Sequence, residues 1–261
     1  CETMKKEFFI NKRRELAEKL DNNSAALFLS GEPVTSSGDQ FFNFEVSRNF
    51  YYLTGTDIPH SALLIIKKAN TCDEYLFVQP KDETKEKWTG ILPTCEEYSE
   101  LSGIPIDRIK YIHEFYEFFK VLNEEHVFSK IYLDLKQHNE GYELMKPVYE
   151  NMAEKITDIS DLLFEMRAVK SNEEITEISE SIKITHDAIS KFAQQMKPGI
   201  KEYQLKSAFE YEVAYQDAKL AFGTICAADK NAVILHYPYG YDEIDSNSMV
   251  LLDCGAAKKY Y

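Results

Sequence analysis

Two short apolar runs near the end of the chain, each finishing on an ionisable residue, constrain the fold most. Ala232–Leu235 leads into His236, and Met249–Leu252 leads into Asp253. Such runs are too short for helices and are bounded by turn-forming residues, so both read as strands. Between them YPYGYDEIDSNS, rich in Pro, Gly, Asp, Asn and Ser, reads as a long turn or hairpin loop. A carboxylate at the end of a buried strand is costly unless a metal, a cation or a set of backbone N–H groups compensates its charge. Asp253 is the first residue that any fold must explain.

Upstream lies the clearest local signal. Ser171-Asn172-Glu173-Glu174 is a capping box, in which the Ser hydroxyl satisfies an orphan N–H and Glu174 reaches back. Ile175, Ile178, Ile182, Ile189, Phe192 and Met196 then recur on one helical face, with His186 offset from that stripe and facing solvent. Lys197-Pro198-Gly199 ends the helix. A second helix runs from Lys201 to about Asp217, and Leu220–Ala227 reads as a strand. Two helices followed by strands form half of an α+β sandwich. With no second half and a finish at KKYY, the chain is expected to be truncated inside this domain.

The first half alternates the two periodicities. A helix is expected over Phe8–Leu20, a strand over Ser24–Ser30, a loop at GEPVTSSGDQ and an aromatic strand at Asn49–Leu53. Ser61–Ile66 and Glu74–Val78 pair as a hairpin. A charged loop, KDETKEK, carries the single tryptophan, Trp88. Further helices are expected over Glu96–Ser102, Phe115–Asn123 and Glu140–Met152, with strands at Lys110–Ile112 and Lys130–Leu133. This order predicts an α/β domain, a mixed sheet with flanking helices, over residues 1–155. A connection over 156–170 and an incomplete α+β domain over 171–261 complete the expected organisation.

Composition narrows the chemistry. A formal charge of −14 over 261 residues argues against nucleic acid and against an anionic membrane surface as partners. No apolar run approaches a membrane span, and no signal peptide opens the chain. The five cysteines form no CxxC pair and read as free thiols of a reducing, cytoplasmic compartment. No GxGxxG, Walker loop, GxSxG elbow or HExxH is present. His60, His113, His126 and His138 read as solvated or packing histidines. One carboxylate and one imidazole, Asp253 and His236, do not by themselves make a metal site.

The stretch MRAVKSNEEITEISESIKITHDAISKFAQQMKPGIKEYQL, followed by ILHYPYG and MVLLDCGAAKKYY, resembles the catalytic domain of Xaa-Pro aminopeptidases, of the pita-bread metallopeptidase family. PVTSSGD, NFYYLTG and QPKDETKEKWTG resemble the creatinase-like N-terminal domain of the same enzymes. The resemblance implies a dinuclear site, usually of Mn²⁺, held by two Asp, one His and two Glu. Asp253, in the D-x-G pattern Asp253-Cys254-Gly255, matches the first of these ligands, and the others are expected past Tyr261. The chain by itself is therefore expected to be inactive. His236 matches an active-site histidine that hydrogen-bonds substrate without ligating metal. Trp88, Asp39 and Arg167 match positions that line or close the site, Trp88 in a neighbouring subunit. FNFEVSRNF departs from relatives that carry Arg where Glu45 stands.

The activity implied is metal-assisted hydrolysis of the bond before a proline at the second position of a peptide. A homodimer or higher homo-oligomer is implied as well. Prolidase, which takes only Xaa-Pro dipeptides, is a related alternative. A metal-free binding module on the same fold, such as the peptidase-like domain of a histone chaperone, is another, and retention of Asp253 and His236 argues against it.

Overall fold

The computed structural model describes residues 4–137 and 143–261. His138 and the expected start of a helix at Glu140 lie outside the described residues. The chain divides into two compact units, one ending at Val169 and one spanning Lys170–Tyr261.

The first unit runs α1 (Lys6–Lys19), β1 (Ser24–Leu29), β2 (Thr35–Ser37), β3 (Gln40–Phe41), α2 (Arg48–Thr54), β4 (Ala62–Lys67), β5 (Cys72–Val78), α3 (Glu83–Thr89), α4 (Cys95–Ser102), β6 (Ile109–Tyr111), α5 (Phe115–His126), β7 (Lys130–Leu133), α6 (Lys146–Met152), β8 (Ile156–Asp158) and α7 (Ser160–Ala168). Six of these strands form one mixed sheet in the order β6-β5-β4-β1-β7-β8. The expected hairpin is present: β4 pairs antiparallel with β5, and also with β1. The outer pairs β5–β6, β1–β7 and β7–β8 are parallel. β1 and β4 sit at the centre and read as near-continuous apolar runs because both faces are covered. Register puts Ala25 opposite Ile66, Leu27 opposite Leu64 and Leu29 opposite Ala62. Alternation sends these to one face, where Phe115 and Phe119 of α5 and Val148 and Met152 of α6 complete a core. Each such buried side chain contributes roughly 1.5–3 kcal/mol. Phe28, Leu63 and Ile65 face the other way, where α2 packs against both central strands.

Four expectations for this unit need correction. NFYYL is not a strand but the body of α2, started by the Ser47 side chain accepting from Phe50 N and ended by Gly55 in the left-handed region. A Cβ at Gly55 would stand 2.4 Å from a ring carbon of Phe9, so glycine is required for both conformation and clearance. The loop GEPVTSSGDQ contains the short β2–β3 hairpin. The charged run before Trp88 is α3, capped by the Asp82 side chain, which accepts from Thr84 N and Lys85 N. Residues expected to be a connection form β8, an edge strand of the sheet, and α7.

The second unit holds α8 (Asn172–Gln195), α9 (Glu202–Tyr215), β9 (Lys219–Leu220), β10 (Ile225–Ala228), β11 (Val250–Asp253) and β12 (Ala256–Ala257). The capping box is formed as read: Ser171 Oγ accepts from Glu174 N, and Glu174 accepts from Ser171 N at 2.9 Å. The stripe is only partly right. Ile175, Ile182, Ile189 and Met196 are exposed, while Ile184, Ala188 and Phe192 face Leu205, Phe209 and Val213 of α9. Cys226 and Ala228 of β10 complete this core. The expected strand Leu220–Ala227 is broken into β9 and β10, which pair antiparallel with β12 and β11 respectively.

Candidate functional site

β11 positions Asp253. It pairs with β10 over four residues, placing Asp253 opposite Ile225 and Val250 opposite Ala228. This is a half-exposed strand rather than the buried one expected, since Leu251 and Asp253 face outward. The Asp253 carboxylate accepts no hydrogen bond among the described residues and is exposed. Gly255 then lets the preceding segment cross closely: Ala221 N donates to Gly255 O at 2.8 Å, and a Cβ at Gly255 would stand 3.3 Å from Phe222. The D-x-G spacing thus has a local reason, a strand end followed by a close backbone crossing. Burial, and then the Asp253 charge, push the neighbouring Cys254 thiol up in pKa.

His236 does not end a strand. β10 passes into a single-turn 3₁₀ helix, Asp229–Val233, and His236 follows in a turn. Val233 and Leu235 are 83% and 90% exposed, so the apolar run AVIL contributes little to the core. Polar contacts shape this loop instead. Glu202, at the first turn of α9 and fully buried, accepts from Ala228 N at 2.6 Å and from Asn231 Nδ2 at 3.0 Å. Its second oxygen accepts from Tyr237 Oη at 3.0 Å and Asp242 N at 3.3 Å. Burial first, and then the Glu202 contact, push the Tyr237 phenol up to about 12. The His236 imidazole is exposed and makes no hydrogen bond among the described residues. His236 and Asp253 therefore share one unit, Asp253 paired opposite the first residue of β10 and His236 in the loop that follows that strand.

Trp88, Asp39 and Arg167 belong to the first unit. Trp88 stands on α3, which buries none of its residues, and is 82% exposed. Asp39 occupies the exposed turn between β2 and β3. Arg167, near the end of α7, is half-buried, with Nη1 donating to Asn49 Oδ1 at 2.7 Å and its guanidinium over the Tyr52 ring. Asn49 Nδ2 in turn donates to Asp134 Oδ2 at 2.6 Å. Glu45 pairs with Arg48 at 3.1 Å.

Sequence reasoning missed Glu202, Asn231 and Tyr237. A glutamate at a helix start reads as an ordinary partner of the helix dipole, and nothing local marks this one as buried.

Residues 9–132 match the family described as aminopeptidase P, N-terminal domain, and residues 176–261 match metallopeptidase family M24. The chain is 28% identical over 263 residues to the Xaa-Pro aminopeptidase of Escherichia coli, covering 97% of this chain and 59% of that protein. It is 28% identical over 258 residues to the Xaa-Pro aminopeptidase of Haemophilus influenzae, covering 98% and 59%. Among solved structures it is similar to a Bacillus anthracis protein assigned as an aminopeptidase P, with a TM-score of 0.92 and 33% identity. That match covers 99% of this chain and 63% of the other. The chain thus spans about three fifths of the length of the curated relatives it matches.

Proposed function

Because this chain belongs to the aminopeptidase P family of M24 metallopeptidases, we propose that it is part of a metal-dependent aminopeptidase releasing the N-terminal residue before a proline. The observation that carries the reading is the Asp253 carboxylate, held at a strand end and left without an internal donor. An ionised carboxylate of this kind suits a hard divalent cation. Among the described residues no three His, Cys, Asp or Glu side chains come together to hold a metal. In this proposal Asp253 supplies one ligand, and the part of the relatives' length that this chain does not span supplies the rest.

A pair of divalent ions, Mn²⁺ in this proposal, supplies Lewis acidity and an acidified water when bound. The chain's own groups bind and orient. His236, exposed and uncommitted, holds the substrate backbone by a hydrogen bond. Trp88 on its exposed helix and Asp39 on its hairpin turn close the substrate site, with Trp88 acting in a neighbouring subunit of a homo-oligomer. Arg167 contributes the guanidinium N–H groups not directed at Asn49. Peptides with proline second are the proposed substrates, which the names of the matching relatives favour over the prolidase reading. The proposed compartment is the cytoplasm, supported by four cysteines that remain free thiols. No described helix is long and apolar enough to cross a membrane.

Asp253→Asn in the complete gene product tests the assignment. Since the carboxylate has no partner among the described residues, the stability of the metal-free protein is expected to change by no more than about 0.5 kcal/mol. Metal-stimulated hydrolysis of Ala-Pro-Ala is expected to be lost. Full metal-stimulated activity in the variant would sink the assignment.

A further inference from the structure

Glu202 is a buried carboxylate that the proposed chemistry does not use. The four donors it accepts from bracket His236: Ala228 N at the end of β10, Asn231 in the 3₁₀ turn, Tyr237 beside the histidine, and Asp242 N beyond it. The helix answers in kind. Glu202 N donates to Asp242 O at 3.1 Å and Tyr203 N donates to Gly240 O at 2.7 Å, so the loop carbonyls satisfy amides that the first turn of a helix leaves unpaired. The contact is close, since a Cβ at Gly240 would stand 3.2 Å from Tyr203 N.

We propose that Glu202 is a positioning residue that clamps the 228–242 loop against α9 and thereby fixes His236. The proposal rests on the reading that His236 contacts substrate. On the side preceding the histidine the loop has little apolar anchoring, because Val233, Ile234 and Leu235 are exposed, and the buried residue that follows it, Tyr237, bonds Glu202. Its placement therefore depends on polar contacts, and Glu202 makes four of them. A carboxylate is the suitable group, being an acceptor on both oxygens with no hydrogen to oppose a donor. A glutamine there would turn an NH₂ group toward either Ala228 N–H or Asp242 N–H. The helix N-terminus also favours the charge.

Glu202→Gln and Tyr237→Phe, made in the complete gene product, test the clamp through hydrogen exchange over 228–242 and kcat/KM for Ala-Pro-Ala. Tyr237→Phe removes one hydroxyl without changing packing and serves if the Glu202 variant folds poorly. Faster exchange in this segment is expected in both. So is a fall in kcat/KM of about tenfold for Glu202→Gln and about threefold for Tyr237→Phe. Combined with His236→Ala, neither substitution is expected to lower kcat/KM further, because each acts through the histidine. Unchanged exchange in stably folded variants, or a fully additive loss on the His236→Ala background, would overturn the proposal. His236→Ala with wild-type kcat/KM would overturn the reading of the histidine and the clamp's role in turnover, whereas the exchange data report the clamp itself independently.

Discussion

Ser160 Oγ lies 2.7 Å from Asp134 Oδ1 and 2.5 Å from Asp158 Oδ1, yet a hydroxyl carries one hydrogen. That hydrogen is shared between the two carboxyls. Asp134 is the buried partner, and burial raises its pKa against the opposing hydrogen bonds of Asn49 and Ser160. Asp158 is held below the usual carboxyl range: burial works against this, and is outweighed by hydrogen bonds from Ser160 and from backbone amides. Asp134 Oδ1 accepts from Ser160, and its other oxygen accepts from the Asn49 amide that steadies Arg167. A carboxyl whose pKa is raised by folding contributes stability below its unfolded value, and that contribution is lost as pH rises through the folded value. Asp134→Asn is neutral at every pH and should remove this loss. Thermal unfolding followed from pH 4 upward should therefore show the wild type weakening relative to Asp134→Asn. Asp134→Ala, which strands the buried Asn49 amide N–H group, should cost about 1–3 kcal/mol. A wild type that gains on Asp134→Asn with rising pH would contradict the raised pKa of Asp134.

At the scale of elements, most of what the sequence announced depends on local chemistry. The capping box of α8 was legible because Ser171 and Glu174 act within one turn. Ser171→Ala should cost about 1 kcal/mol, read as a lowered Tm or denaturant midpoint, and an unchanged midpoint would contradict the cap's contribution. The β4–β5 hairpin was legible because a polar turn separates two apolar runs. What escaped is decided by tertiary contacts. All seven residues of α2 except Arg48 are buried, so no polar face reveals its period, and three aromatic residues in a row imitate a strand. AVIL imitates a strand too, but Asn231, bonded to Glu202 and Asp242, belongs to a turn. On α8 the first turns bury Glu174 and Glu177 through Tyr261 and Lys259, and the core starts on a different face from the isoleucine stripe. Of the site, the strand-end carboxylate was visible in sequence. The clamp was not, because its members are far apart in the chain.

For the whole molecule, the two units match two family descriptions in chain order, and together these account for most of the 261 residues. The first unit carries Trp88 on α3, Asp39 on the β2–β3 hairpin and Arg167 on α7. The second unit carries Asp253 at the end of β11 and His236 in the loop after β10. On the proposed reading, Asp253 of the second unit helps to hold a metal centre. The most direct test is release of alanine from Ala-Pro-Ala by the complete gene product, before chelation, after it, and after Mn²⁺ is restored. Turnover that chelation abolishes and the metal returns is the expected result. Release that persists undiminished in the chelated protein, or no release with metal bound, would contradict it.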